Sequence, residues 1–429
     1  MSPFSRFLAL VKAPDLRQRV LIVIGLLVVY RLAAHIPVPG LDPAALRRFF
    51  AGSQLLGLLD IFAGGGLSNV SIVMLGVSPY ITASIVMQLL TMIIPRLEEL
   101  QKEEGEAGRR TIQTYTRLLT VPLAAVQGFG FLTLLSRGVG GGALPLQFTP
   151  GQLAFTILTV TAGTVFLMWL GELISEQGLG NGVSLLIFLG IVSQAPSMLR
   201  QTIAVWDASN LPTYGLFLAV ALVVTAGVVF VTEAQRNIPV TYAKRVRGGR
   251  LLGGVSTHLP LRVNQAGVIP IIFALSLLLF PAVIAQFFTA SRQEVIAQVA
   301  RQIVDLFNTN WFYGVFYFLL VVVFTYFYTA IIFDPQKIAE HLQKQGGFIP
   351  GIRPGPSTAG HLKRIVNRIT LAGALFLGAI AILPLLLQGV TRSPALTIGG
   401  TGLLIVVSVI LETMKQVDAQ LTMREYETV

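Results

Sequence analysis

Residues 61–95 read IFAGGGLSNVSIVMLGVSPYITASIVMQLLTMIIP, thirty-five positions without one charged side chain. A hydrocarbon core ~30 Å thick is crossed by ~20 helical residues rising ~1.5 Å each, so an unbroken helix of this length is too long for one crossing. The break is written at Gly64, Gly65 and Gly66, followed by Ser68 and Asn69, whose side chains bond their own backbone and favour turns. Before it, residues 60–67 are too few to cross; after it, residues 71–95 suffice. A half-inserted glycine-rich segment is tolerated only where protein or a water-filled cavity surrounds it, because lipid leaves backbone groups unsatisfied. The sequence therefore predicts an enclosed cavity near residues 60–70.

Composition agrees. Of 429 residues, 54% are hydrophobic and 12% charged, against roughly 25% charge in a soluble protein. The expected class is an all-α polytopic membrane protein. Cysteine is absent, which removes disulfides, thiolate metal sites and a cysteine nucleophile. His35, His258, His341 and His361 are far apart and lack ligand spacing, so no metal and no cofactor are expected. The opening MSPFSRFLALVKAPDLRQRV has no early apolar run ending in small residues, and a cleavable secretory signal is not expected.

Apolar segments lie at 18–38, 71–95, 113–136, 152–173, 181–199, 214–233, 266–288, 312–333, 365–387 and 398–415. Ten spans put both termini on one side. With that side as the cytoplasm, 22 Lys and Arg fall in cytoplasmic connections. The other side holds 8: Arg31, Arg47, Arg48, Arg137, Arg200, Arg292, Arg301 and Arg392. The positive-inside rule then predicts cytoplasmic N and C termini, and the net charge of +11 belongs mostly to cytoplasmic loops.

No Asp, Glu, Lys or Arg lies in the middle of a proposed span; Arg31, Arg117, Glu172 and Glu233 sit near ends, where long side chains reach water. Ion-coupled transporters place ionisable groups at mid-membrane, so a secondary transporter for a small solute is disfavoured. No GxxxxGK[ST] pattern occurs, and the chain is not expected to hydrolyse ATP itself. No catalytic residue is expected. A second rival is an insertase or assembly scaffold with no through-pore, against which the half-inserted segment speaks.

Three further stretches carry information. In LGELISEQGLGNGVSLLI, residues 170–187, Gly178, Gly180 and Gly182 with Asn181 make a tight turn, and Glu172 and Glu176 share one helical face. The connection 234–264 carries Lys244, Arg245, Arg247 and Arg250 around Gly248 and Gly249. The connection 334–363 carries GFIPGIRPGPST at 347–358, where Gly and Pro hold Arg353 in a turn with little freedom. Arginines displayed in this way suit an acidic partner, RNA or protein.

The runs SIVMLGVSPYITASIVMQLL at 71–90, WLGELISEQGLGNGVSLL at 169–186, STHLPLRVNQAGVIPIIFA at 256–274 and FIPGIRPGPST at 348–358 resemble the SecY family of protein-conducting channels. The resemblance covers nearly the whole chain. It implies a clamshell of ten transmembrane helices in two pseudo-symmetric inverted halves, residues 1–200 and 214–429, joined by an external hinge connection at 201–213. It makes the half-inserted segment at about 58–69 a plug helix, comprising Asp60, Ile61, Phe62, Ala63, Gly64, Gly65, Gly66, Leu67, Ser68 and Asn69. It implies a bacterial plasma (inner) membrane location, SecE and SecG as neighbours, and SecA or the ribosome as drivers docking on the basic loops. Signal peptides, nascent chains and lipids complete the expected partners.

In this family a ring of bulky aliphatic side chains closes the pore halfway across. The resemblance assigns it to Val77, Ile81, Ile85, Ile187, Ile191, Ile272 and Ile405. Residues 77, 81 and 85 step by four along one helical face, as do 187 and 191. An apolar ring can dewet and block ions while yielding around a passing chain. The resemblance also places a lateral gate between spans two and three and spans seven and eight, where Gln88, Thr91, Gln127 and Asn264 are costly polar residues seeking partners. Hydrogen bonds among them across the closed gate are expected, to be replaced by burial of an apolar signal sequence.

Overall fold

The computed structural model describes residues 13–38, 71–102, 104–137, 149–204, 211–242, 245–247, 250–252, 256–288, 293–391 and 399–427. A helix lies over each of the ten predicted apolar segments. In chain order these are α1 (Pro14–Ala33), α2 (Ser78–Ile93), α4 (Gly105–Arg137), α5 (Pro150–Glu176), α6 (Gly182–Ala204), α7 (Leu211–Glu233), α8 (Ile269–Phe288), α10 (Asn310–Ile332), α12 (Pro356–Thr391) and α13 (Gly399–Glu427). Three shorter helices join them: α3 (Pro95–Lys102), α9 (Glu294–Asn308) and α11 (Pro335–Lys344). Among the described residues, four stretches are long and apolar enough to cross a bilayer alone: Pro150–Glu176, Tyr214–Glu233, Trp311–Lys344 and Pro356–Leu383. The bent pair formed by α2 and α3 makes a fifth.

Several helix ends differ from the apolar segments. Residues 72–77 form turns, with Gly76 at φ 59°, and α2 begins only at Ser78, beside Pro79. At its other end Pro95 removes a backbone donor and holds Ile94 extended, at φ −99° and ψ 110°, so α3 leaves α2 at 106°. The connection 96–110 is therefore largely helical. Both α12 and α13 run well past their apolar segments into polar sequence. The connection expected at 201–213 is shorter, since α6 continues to Ala204 and α7 starts at Leu211.

Local chemistry fixes the starts. Thr149 and Gln152 form a reciprocal capping box on α5, Gln152 N donating to Thr149 Oγ1 and Thr149 N to Gln152 Oε1. Asn181 Oδ1 accepts from Ser184 N at the head of α6, and Asp334 Oδ1 accepts from Gln336 N and Lys337 N at the head of α11. The turn between α5 and α6 is close-packed: a Cβ on Gly182 would collide with the Gly171 carbonyl.

Among the described residues, the mostly helical architecture carries two small sheets on its connections. Strands β1 (Gln235–Tyr242), β4 (Ser256–Arg262) and β5 (Gly347–Phe348) form an antiparallel sheet in the order β4-β1-β5. A hairpin of β2 (Arg245–Arg247) and β3 (Arg250–Leu252) lies between β1 and β4 in the chain. The two basic connections, separate in sequence, are thus joined in one body. Its own core is made by Ile238, Val240, Leu261, Leu342, Ile349, Leu362, Ile365 and Val366.

The predicted plug, residues 60–69, lies outside the described residues. What is described is the base from which residues 39–70 depart and to which they return. Pro37 and Ser71 form an antiparallel bridge, and Ile72 N donates to the Ile36 carbonyl at 3.0 Å. This base packs against α5, where a Cβ on Gly163 would collide with the Ile72 carbonyl oxygen.

Candidate functional site

The helices from the two predicted halves meet in two places. On one side α8 packs against both α2 and α4; on the other α13 packs against α6. A cavity of about 720 Å³ opens among α2, α4, α5, α6, α8 and α10. Its polar wall comes from Arg110, Gln113 and Arg117 of α4 and Glu172 and Glu176 of α5. Ile81 of α2, Ile187 of α6 and Ile272 of α8 also line it.

Those three isoleucines belong to the predicted ring. Val77, Ile81, Ile85, Ile187, Ile272 and Ile405 are all buried within one continuous apolar cluster, and Ile191 packs against it partly buried. They arrive from α2, α6, α8 and α13, so the cluster draws on both halves. Val77 is the residue preceding α2 rather than part of it, but Ile81 N donates to the Val77 carbonyl at 3.0 Å. The spacing of four is kept. Ile191 touches α13 closely enough that a Cβ on Gly402 would stand 3.2 Å from its Cγ2.

The gate residues behave differently from the expectation. Gln88 Nε2 donates to Ser84 Oγ at 3.3 Å and Thr91 Oγ1 to the Gln88 carbonyl at 2.8 Å, both within α2. Gln127 Nε2 of α4 donates to Thr82 Oγ1 of α2 at 3.4 Å. Asn264 Nδ2 donates to the Gly267 carbonyl three residues on, at 3.1 Å. Each of these bonds stays within one half, which corrects the expected bonding across the gate. The reason is local: short-range partners satisfy the donors, while Gln88 Oε1 and Asn264 Oδ1 are buried without a partner. Helix α8 packs there against α2 and α4.

Two polar ties were not read from the sequence. Arg117 Nε lies 2.8 Å from Glu172 Oε1, which also accepts from Gln113 Nε2 at 3.2 Å, so the ion pair joins α4 to α5 at the cavity wall. Both residues had been placed at ends of successive spans, and that position was the available signal. In the second, Gln420 Nε2 of α13 donates to the Gly178 carbonyl at 2.7 Å, holding the 178–182 turn. Gly178 takes this turn at φ 71°, and nothing in the sequence linked positions 242 residues apart.

Of the basic loop residues, Arg353 is exposed, and its carbonyl accepts from Thr358 Oγ1 at 2.9 Å between Gly351 at φ 82° and Gly355 at φ 95°. Arg245, Arg247 and Arg250 lie on the β2–β3 hairpin, with Arg247 paired to Arg250 and Arg245 to Leu252. Lys244 lies outside the described residues.

The sequence profile of the SecY family matches residues 71–414. The chain belongs to the SecY family. A relative in Streptomyces coelicolor, called protein translocase subunit SecY, is 46% identical over 428 residues, covering 97% of each chain. Among solved SecY-family structures, one of a SecY channel with its plug domain superposes with a TM-score of 0.60 at 20% identity, covering 93% of this chain and 90% of that one. The Sec61 channel of a canine ribosome-channel complex from the endoplasmic reticulum superposes at 0.56, also at 20% identity, covering 92% and 90%. These structures share the SecY-family fold.

Proposed function

We propose that this chain is the central pore-forming subunit of a protein translocation channel, passing unfolded polypeptides across the bacterial plasma membrane and releasing apolar segments sideways into lipid. What supports this reading is that aliphatic side chains from α2, α6, α8 and α13 share one buried apolar cluster, three of which, Ile81, Ile187 and Ile272, line a polar-walled cavity. A constriction of branched aliphatic groups excludes water and ions when closed, and it offers no strong site that would hold a passing chain. The cavity is the vestibule, residues 60–69 are the plug, and α8 against α2 and α4 is the lateral gate.

The work of this subunit is passive. A ribosome or the SecA motor docks on the basic sheet and on Arg353, with SecE and SecG completing the complex. An apolar signal sequence enters between α8 and α2, the plug leaves, and the ring dilates around the chain. With both termini in the cytoplasm, the sheet faces the ribosome and the motor.

The test is ion conductance of the reconstituted complex in planar bilayers, comparing the parent chain with a variant carrying Ile81→Asn, Ile187→Asn and Ile272→Asn. The variant should show frequent long openings, because amides hydrate the constriction. Equal, negligible conductance in a variant that still translocates protein would reject the ring.

A further inference from the structure

Helix α9 divides its surface three ways. At ~100° per residue, Ala297, Ala300 and Phe307 fall on one side and are buried against the neighbouring helices. Glu294, Gln298, Arg301 and Asp305 fall on another and are exposed. Between them Val295, Val299 and Leu306 lie within ~40° of one another, and they are 74%, 49% and 45% exposed. An amphipathic helix in a soluble protein has two faces, apolar inward and polar outward. Here the apolar face is wider than the protein covers.

The neighbours say what covers the rest. Helix α9 follows α8 after five residues and precedes α10 after Thr309 alone. Phe307 packs edge-on against Phe312 and Phe316 of α10, with centroids 5.5 and 5.7 Å away, so α9 is fixed to the end of that helix. The first turn of α10 carries Trp311, 73% exposed, and the outward face continues through Val315, Leu319 and Val323, all exposed. That face belongs to a stretch apolar enough to span a bilayer. Aromatic residues such as Trp concentrate where a span leaves the hydrocarbon. The exposed valine and leucine stripe of α9 ends at Leu306, five residues before Trp311 opens the exposed apolar face of α10.

We propose that α9 is an interfacial helix lying on the outer leaflet, with Val295, Val299 and Leu306 inserted at the boundary between headgroups and acyl chains and the Glu294–Asp305 face in water. This rests on the reading of α10 as a transmembrane span with its start outside. Helices of this kind sit with the apolar face ~5–10 Å into the boundary region. Because α9 packs on α8, the leaflet anchors the outer end of the helix that forms one side of the gate.

The absence of cysteine makes the test clean. Val299→Cys, Gln298→Cys and Leu319→Cys would each be labelled with a polarity-sensitive fluorophore in the assembled complex and reconstituted in vesicles with brominated acyl chains. Leu319 is eight residues beyond Trp311, ~12 Å deeper along the helix. The Val299 label should be quenched more by bromine near the acyl carbonyl than near the chain end, and the Leu319 label in the opposite order. The Gln298 label should change little. Val295→Cys reads the same stripe if Val299→Cys assembles poorly. Quenching at Leu319 without quenching at Val299 or Val295 would overturn the proposal, placing that stripe against protein or in water. Loss of quenching at all these positions would overturn the span reading of α10 and the proposal with it.

Discussion

Replacing Gly163 by alanine tests how the proposed plug is held. The added Cβ lands on the Ile72 carbonyl oxygen, and Ile72 and Ser71 are the residues tied back to Ile36 and Pro37. Carbon and oxygen atoms need more than ~3 Å between them, so the base of the 39–70 excursion must shift from α5 by roughly 1 Å or more. Overpacking of this kind costs ~1–3 kcal/mol, and loss of the Ile72–Ile36 hydrogen bond adds ~1 kcal/mol. If ~2 kcal/mol of this is relieved when the base leaves α5, the ratio of released to packed base rises ~30-fold, and on the proposed reading the plug follows it. Open probability in planar bilayers is the readout, with thermal unfolding of the complex measured alongside. Gly151→Ala, on the same helix, is the control, because its Cβ would meet nothing within 4 Å. A Gly163→Ala channel as quiet and as stable as Gly151→Ala would refute the reasoning.

Further outcomes concern the polar ties. Glu172→Gln should cost at most ~1 kcal/mol, because the Arg117 side chain is 44% exposed and solvent screens the pair; thermal unfolding at low and high salt should show the loss shrinking as salt rises. Gln420→Ala should cost ~1 kcal/mol through the lost bond to Gly178, measured by thermal unfolding, and a loss no greater than that of Gln298→Ala would mean the tie contributes nothing. Thr358→Val removes the hydroxyl that holds the Arg353 carbonyl; motor-driven translocation should slow, with Thr358→Ser restoring it, and unchanged rates in both would separate loop geometry from docking.

The positions of the long helices were legible because uninterrupted apolar runs carry their own signal. Their ends were not. The polar N-terminal turns of α4 and α12 and the tail of α13 are helical without an apolar stripe, so hydropathy stopped short of them. Pro95 was in view, but the 106° bend it permits depends on α3 finding a seat against α4. Strand β5 pairs with β1 across more than a hundred residues, and a two-residue strand leaves no pattern to detect. For the site, the spacing of Ile81 and Ile85 suggested a stripe, while its sharing one buried cluster with Ile272 and Ile405 was legible only through the family likeness. The polar residues assigned to the gate bond locally because Ser84 and Gly267, close in the chain, accept from the Gln88 and Asn264 amide donors, which the sequence pattern did not show.

The β4-β1-β5 sheet has a mechanical meaning. Strand β1 leaves the end of α7, β4 runs into the start of α8, and β5 enters the turn that begins α12, so three helix ends are stitched to one plate. A push on any edge of that plate becomes a torque shared by all three helices. Whatever loads the sheet through Arg353, on the turn between β5 and α12, would then reach α8 by way of β4.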